Sequence, residues 1–375
     1  MKRISAAVLI LSACFASRAW GQKPTCGVHT PWTEFHRTNM ERWNPCEKVL
    51  SVKTVRNLKR KWSYSTGNYV ESSPAVANGV VYVGSYDTNV YALKASTGAK
   101  LWSYATGGPV ESSPAVANGV AYVGSDDYSV YALSASTGAK LWSYPTGSYV
   151  ISSPAVANGV VYVGSADDNV YALNAKTGAK LWSYDTGEPE AYSPAVANGV
   201  VYVGTLGKLY ALKASTGDLL WSYFTGDQME SPAVADGVVY VTSGDTGVYA
   251  LKASTGDLLW NNETPGELAS SPAVADGVVY FGDVSNSEVY ALKASTGAKL
   301  WSYPTRYYVY SSPAVANGVV YIGSEDDHVY ALNAKTGRKL WRYAAGSGVG
   351  TSPVVANGVM YVGSDDFKVY AFGLK

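Results

Sequence analysis

Cysteine and histidine are nearly missing from this chain of 375 residues, which holds 3 of each. His29, His36 and His328 stand far apart or alone, so no metal triad and no nucleophile–base pair is evident. An excess of either charge is missing too. The 29 basic residues balance the 29 acidic ones, which excludes a globally basic surface for nucleic acid. Long apolar runs are also missing. Outside the amino end nothing approaches a membrane span.

The amino end reads as an export signal over residues 1–21. Lys2 and Arg3 precede the apolar stretch Ile4 to Ala16, and Ala19-Trp20-Gly21 suits cleavage before Gln22. Leu11-Ser12-Ala13-Cys14 offers an alternative, a lipid anchor at Cys14. The expected location is periplasmic or extracellular, or lipid-anchored to an envelope membrane. An oxidising compartment then favours a disulfide between Cys26 and Cys46.

What is present is a repeat of about forty residues. Pro74, Pro114, Pro154, Pro194, Pro232, Pro272, Pro313 and Pro353 form one column. Trp62, Trp102, Trp142, Trp182, Trp221, Trp260, Trp301 and Trp341 form a second. Within a unit, Asn78-Gly79 and Ser96-Thr97-Gly98 mark turns between strands rich in Val, Tyr and Leu. The strands are apolar on both faces, so each sheet must be covered on both sides. Four-stranded antiparallel blades around an axis meet that need, which gives an all-β, eight-bladed β-propeller over residues 61–375. Trp62 precedes the first Ser-Pro strand and no Trp follows Pro353. The last unit therefore lacks its fourth strand, and Lys61 to Thr66 is expected to supply it beside Val369 to Phe372. Residues 22–60 are left as a leader or cap, with a short helix near Thr54 to Arg60, on the side of the uniform turns.

Ala92-Leu93-Lys94-Ala95-Ser96-Thr97-Gly98-Ala99-Lys100-Leu101-Trp102 resembles the tryptophan-docking motif of pyrroloquinoline-quinone-like (quinoprotein-type) propellers. Lys94 and its equivalents stand where that family commonly has Asp. The resemblance implies the propeller fold and the eight docking tryptophans. Dehydrogenases of the family typically add adjacent cysteines, a Trp beneath the quinone and a Glu-Asn-Asp calcium site, none of which is evident here. The expectation is therefore a non-enzymatic scaffold, closer to the assembly-type propellers, with no catalytic residue, no metal and no cofactor. The alternative is a quinone-dependent oxidoreductase or small-ligand sensor, with quinone and calcium bound. The Asp pairs at 126–127, 167–168, 326–327 and 365–366 read as turn formers.

Differences between units fall on one rim. The Asn-Gly and Thr-Gly turns keep their length, whereas the loops after the second and fourth strands vary in length and composition. Three repeat columns absorb most of the 31 tyrosines, and Tyr69, Tyr86, Tyr128, Tyr149, Tyr192, Tyr307, Tyr308 and Tyr310 lie outside them, all in these variable loops. Most acidic residues share that rim, while lysines gather on the other. Tyr69, Tyr149, Tyr192, Tyr307, Tyr308 and Tyr310, with Glu71, Glu111 and Glu230 near the axis, are the candidate binding residues. The expected partner is a protein or cell-envelope component, bound by a monomer.

Overall fold

The computed structural model describes Cys26, residues 32–37 and residues 40–375 apart from 190, 246 and 265. The export signal, Cys14 and His29 lie outside these residues. Eight antiparallel sheets follow one another along the chain. Blade 1 comprises Ala75–Ala77, Val80–Gly84, Asn89–Lys94 and Lys100–Ala105, from the axis outward. Its first turn places Asn78 at φ 49° and Gly79 at φ 77°, the left-handed pair that a tight hairpin demands.

The ring closes as the two sequence columns imply. Lys59–Ser65 pairs antiparallel with Lys368–Gly373, with Trp62 opposite Ala371, and becomes the outermost strand of blade 8. The expected pairing of residues 61–66 is thus met and begins two residues earlier.

Blades are joined by their tryptophans. Trp102 of blade 1 donates Nε1–H to the Ala135 carbonyl of blade 2 at 3.0 Å, and Tyr82 donates to the same oxygen at 3.1 Å. The tryptophan bond repeats around the ring and ends with Trp341 on Leu58 at 3.2 Å, where the buried Tyr321 hydroxyl does not join it. The Thr-Gly turn is glycine because the indole lies on it. A Cβ at Gly98, where φ is +73°, would sit 2.6 Å from the Trp62 ring.

Nearer the axis the Ser-Ser pairs link blade to blade. Ser73 N–H donates to Ser113 Oγ, Ser113 to Ser153 and Ser153 to Ser193. Ser312 donates to Ser352, and Ser352 returns to Ser73 at 3.0 Å, so a collar of serines joins the last blade to the first. These serines therefore hold the ring together at the start of each innermost strand.

The leader does more than lie beside a rim. In a propeller the axial edge of each innermost strand has no partner strand, and its polar groups need one. The leader contacts all eight blades in chain order. Val76 N–H donates to Trp32 O at 2.5 Å, and Val116 donates to Thr33 O at 2.7 Å. Val156 donates to Glu34 Oε2 at 3.1 Å, and Val196 faces Met40 Sδ at 3.4 Å. Val234, Val274 and Val315 donate to the carbonyls of Met40, Glu41 and Arg42 at 2.9–3.0 Å. Asn44 Nδ2 then donates to Val355 O at 2.8 Å. Trp43–Asn44 also pairs parallel with Val315–Ala316. The leader thus crosses the channel as a plug. Glu47 Oε2 accepts from Gly358 N at 3.0 Å, which places the plug's exit at the uniform turns. The expected short helix is a 3-10 turn, Val55–Asn57.

Cys26 and Cys46 form a disulfide 20 residues apart that brackets the contacts from Trp32 to Asn44 and leaves Glu47 just outside. Cross-linking a loop of that length removes unfolded-chain freedom worth ~3 kcal/mol. Cys26→Ser with Cys46→Ser should loosen the plug and leave the ring closed. Hydrogen exchange should then quicken at Val76, Val116, Val234, Val274 and Val315 and stay slow at Val81 and Val83.

Candidate functional site

The axial end opposite the plug's exit carries the concave site. Glu71 precedes the innermost strand of blade 1, and Tyr310 precedes that of blade 7. Glu325 and Asp365 follow the second strands of blades 7 and 8. With Gly350 these side chains line a cavity of about 370 Å³ at the inner edge of the diversified rim. Among the described residues no Lys or Arg lines it. A larger hollow, about 520 Å³, lies on the other rim between Val52 and Arg56 of the leader and Arg338 and Lys339 of blade 7.

Crowding of carboxyls sets the chemistry of the mouth. Partial burial, then the charges of Glu111 and Asp365, push Glu71 up to about 7. Burial and Asp365 push Glu325 up to about 7 as well. Burial and Glu111 raise Asp126 to about 6. Tyr86 donates its hydroxyl to Glu111 at 2.5 Å. Near neutral pH the mouth is therefore a mixture of carboxylates and carboxylic acids, able to accept and to donate hydrogen bonds.

The sequence-derived candidates divide. Glu71 and Tyr310 reach the cavity. Glu111 sits beside it, held by Tyr86. Glu230 does not open into it. It is 8% exposed, accepts from Gln228 Nε2 at 2.8 Å, and burial raises it to about 7. The exposed tyrosines pack on other aromatic rings. Tyr69 meets Phe367 at 5.1 Å, Tyr149 meets Tyr128 at 5.1 Å, and Tyr307 stacks on Tyr308 at 4.2 Å. Tyr192 is half-buried and its N–H donates to Gly204 O. Glu325 and Asp365 were missed as cavity residues, although each follows a Gly-Ser pair at the end of a second strand. Asp127 Oδ2 accepts from Tyr131 and from Gly107 N at 2.6 Å, so it serves its loop.

Glu230 gives a signed pH effect. Its raised value means that the folded state holds a proton which the unfolded chain, near 4.5, has released. Stability from this group is complete below about 4.5 and is lost as pH rises through about 7. Glu230→Gln should therefore raise Tm at pH 8 and leave it nearly unchanged at pH 4, a difference that calorimetry at the two pH values measures.

The family model described as outer membrane protein assembly factor BamB matches residues 51–149, 129–231, 228–308 and 285–374. Among curated proteins, the quinoprotein alcohol dehydrogenase PedE of Pseudomonas putida is 46% identical over 69 residues. That match covers 17% of this chain and 11% of the dehydrogenase, so the chain spans only a small part of that relative. The quinohemoprotein alcohol dehydrogenase of Comamonas testosteroni superposes with TM-score 0.81 at 18% identity, covering 92% of this chain and 80% of that one. BamB of Moraxella catarrhalis superposes with TM-score 0.74 at 21% identity, covering 84% and 100%. At such identities the superpositions speak for the fold.

Three expectations are corrected by the dehydrogenases among these relatives: that the chain is no enzyme, that it acts as a scaffold, and that it takes no cofactor. Lacking adjacent cysteines and a Glu-Asn-Asp set removes one way of building a quinone site, and other residues can build another. Among the described residues no helix is long and apolar enough to cross a membrane. With its repeats matched from residue 51 to residue 374, the chain belongs to the PQQ-like repeat propellers, the family that joins the assembly factor to the quinoproteins.

Proposed function

We propose that the chain is the propeller of a quinone-dependent oxidoreductase acting on small alcohols, with its site in the axial channel and its entrance at the acidic mouth. The observation that carries this is a cavity of about 370 Å³ that opens at one end of a channel whose other end the leader plugs. The named function of PedE and an envelope setting like that of the assembly factor support the reading.

A pyrroloquinoline quinone is a tricarboxylate, so the residues must meet negative charge. The cavity lies in the size range of small-molecule sites, roughly 300–1,000 Å³. Glu71 and Glu325 stay partly protonated to about pH 7 and can donate to a carboxylate or carbonyl oxygen. Arg42 brings a buried positive charge to the plugged end, and Trp32 brings an indole N–H without a partner. In size the cavity fits the group; its own lining of Glu71, Glu325 and Asp365 is acidic, so the donors for a tricarboxylate are the protonated carboxyls at the mouth and, outside that lining, Arg42 and Trp32. Among the described residues no three His, Cys, Asp or Glu are gathered to hold a metal ion.

When bound, the quinone supplies a two-electron acceptor. The protein's part is to hold, shield and move protons. The plug closes the channel to water from one side. Above about pH 7 Glu71 is ionised and can take the proton that an alcohol gives up; below it the same carboxyl donates. Tyr310, 44% exposed, partly covers the entrance.

The test is co-elution of quinone absorbance with full-length protein and dye-linked alcohol oxidation. Binding should weaken as pH rises through about 7, when Glu71 and Glu325 ionise. Glu71→Gln with Glu325→Gln should bind about equally at pH 6 and pH 8, because the amides keep their donors. Absence of a bound chromophore at pH 6 would overturn the reading.

A further inference from the structure

The plugged end of the channel holds a buried cluster of polar and aromatic side chains. Trp32, His36 and Arg42 are 0%, 2% and 0% exposed. They are contiguous. Arg42 Cζ lies 5.6 Å from the Trp32 ring and 4.5 Å from the Phe35 ring, and Phe35 meets His36 edge-on at 4.9 Å. Arg42 donates to the carbonyls of Pro313 at 2.9 Å, Phe35 at 2.5 Å, Ser312 at 3.4 Å and Pro353 at 3.3 Å. Those oxygens orient the guanidinium and leave its charge uncompensated, since it pairs with no carboxylate among the described residues. A buried charge without a counter-ion is costly and calls for an anion.

The neighbouring donors point the same way. Each docking tryptophan of the ring bonds a carbonyl, whereas Trp32 Nε1 is fully buried with no partner. His36 is kept neutral by burial and by Arg42, and its ring faces the Ser193 backbone. Arg42 reaches the collar through the Ser312 carbonyl. There Ser73, Ser113, Ser153, Ser193 and Ser352 each accept a backbone N–H at Oγ and keep a hydroxyl proton to donate. Buried polar groups in native proteins are nearly always satisfied, so a buried indole N–H without a partner, next to a guanidinium without a carboxylate, points to an acceptor of negative charge.

We propose that the plug and the collar form a carboxylate-binding site, built by Trp32, Arg42 and the collar hydroxyls, for a small organic acid or for the carboxylate arm of a larger channel ligand. It deepens the reading of the channel as the ligand site and gives the leader a recognition role. A hydrogen bond from the indole N–H to a carboxylate, together with the field of the guanidinium 5.6 Å from that ring, supplies the affinity.

Malonate is the probe, with neutral malonamide as the control of similar shape. Calorimetry on the full-length, oxidised protein should give one saturable malonate site and none for malonamide. The Trp32 indole N–H resonance should shift with the same saturation curve. Trp32→Phe keeps the ring and removes the donor, and should weaken malonate about ten-fold while the melting temperature stays within a few degrees. No saturable malonate binding, or equal binding by Trp32→Phe, would overturn the proposal. Quinone that binds with unchanged affinity to Trp32→Phe, in a protein that ignores malonate, would defeat this site and leave the oxidoreductase reading standing. Malonate binding without quinone binding would do the reverse. Malonate that competes with bound quinone assigns the site to the larger ligand, and malonate that binds alongside it assigns the site to a free acid.

Discussion

Deleting residues 1–67 should leave a protein without a cooperative melt, whereas deleting residues 1–57 should leave a closed ring. The longer deletion removes Lys59–Ser65 and with it six paired positions against Lys368–Gly373. It exposes an apolar sheet edge in blade 8 and invites edge-to-edge association. It also removes Trp62, which is 8% exposed and bonds Ala95 O at 2.9 Å across the blade 8–blade 1 interface. Loss of a packed indole alone costs ~3–5 kcal/mol. Whole domains have only about 5–15 kcal/mol to lose. The shorter deletion takes the plug and spares the clasp. Calorimetry and gel filtration distinguish the two. A 1–67 deletion that melts like the full-length chain would refute closure by the amino-terminal strand.

Trp102→Ala should destabilise the ring by ~3–5 kcal/mol, and Trp102→Phe by about 1–2 kcal/mol. The indole is 9% exposed, packs 5.9 Å from the Tyr82 ring and lies on Gly138. Alanine would open a cavity between blades 1 and 2 that rigid strands cannot collapse into. Phenylalanine fills most of it and loses the bond to Ala135 O, which still accepts from Tyr82. Urea unfolding followed by near-ultraviolet dichroism gives both numbers. Equal stability of Trp102→Ala and the parent would mean that blade contacts do not limit unfolding.

The parts of the fold that repeat were legible in the sequence. Two offset columns, Pro and Trp, sufficed to place the clasp, because each column reports one position in a fixed geometry. The leader was not legible in the same way. Its contacts with the blades run largely through the backbone carbonyls of Trp32, Thr33, Met40, Glu41 and Arg42, and any residue has a carbonyl. Only Cys26 and Cys46 hinted that the segment is held. At the mouth, Glu71 and Tyr310 were found because variation and charge gather on one rim. Glu230 was misplaced because a shortened loop in blade 5 turns it inward, where burial decides its surroundings. The aromatic pairs show why loop tyrosines mislead as a class. Tyr149 and Tyr307 are about half exposed, yet each spends a face on a neighbouring ring. The functional class was misjudged for a different reason, since counting absent ligands tests one architecture of a site and not its chemistry.

The channel as the ligand site is tested most directly by a crystal structure of the full-length protein soaked with pyrroloquinoline quinone at pH 6. The account predicts ligand density in the channel, entered past Glu71, Glu325 and Asp365, with a carboxylate directed toward Trp32 Nε1 and Arg42. Density confined to the hollow between Arg56 and Arg338, or an empty channel at saturating quinone, would contradict it.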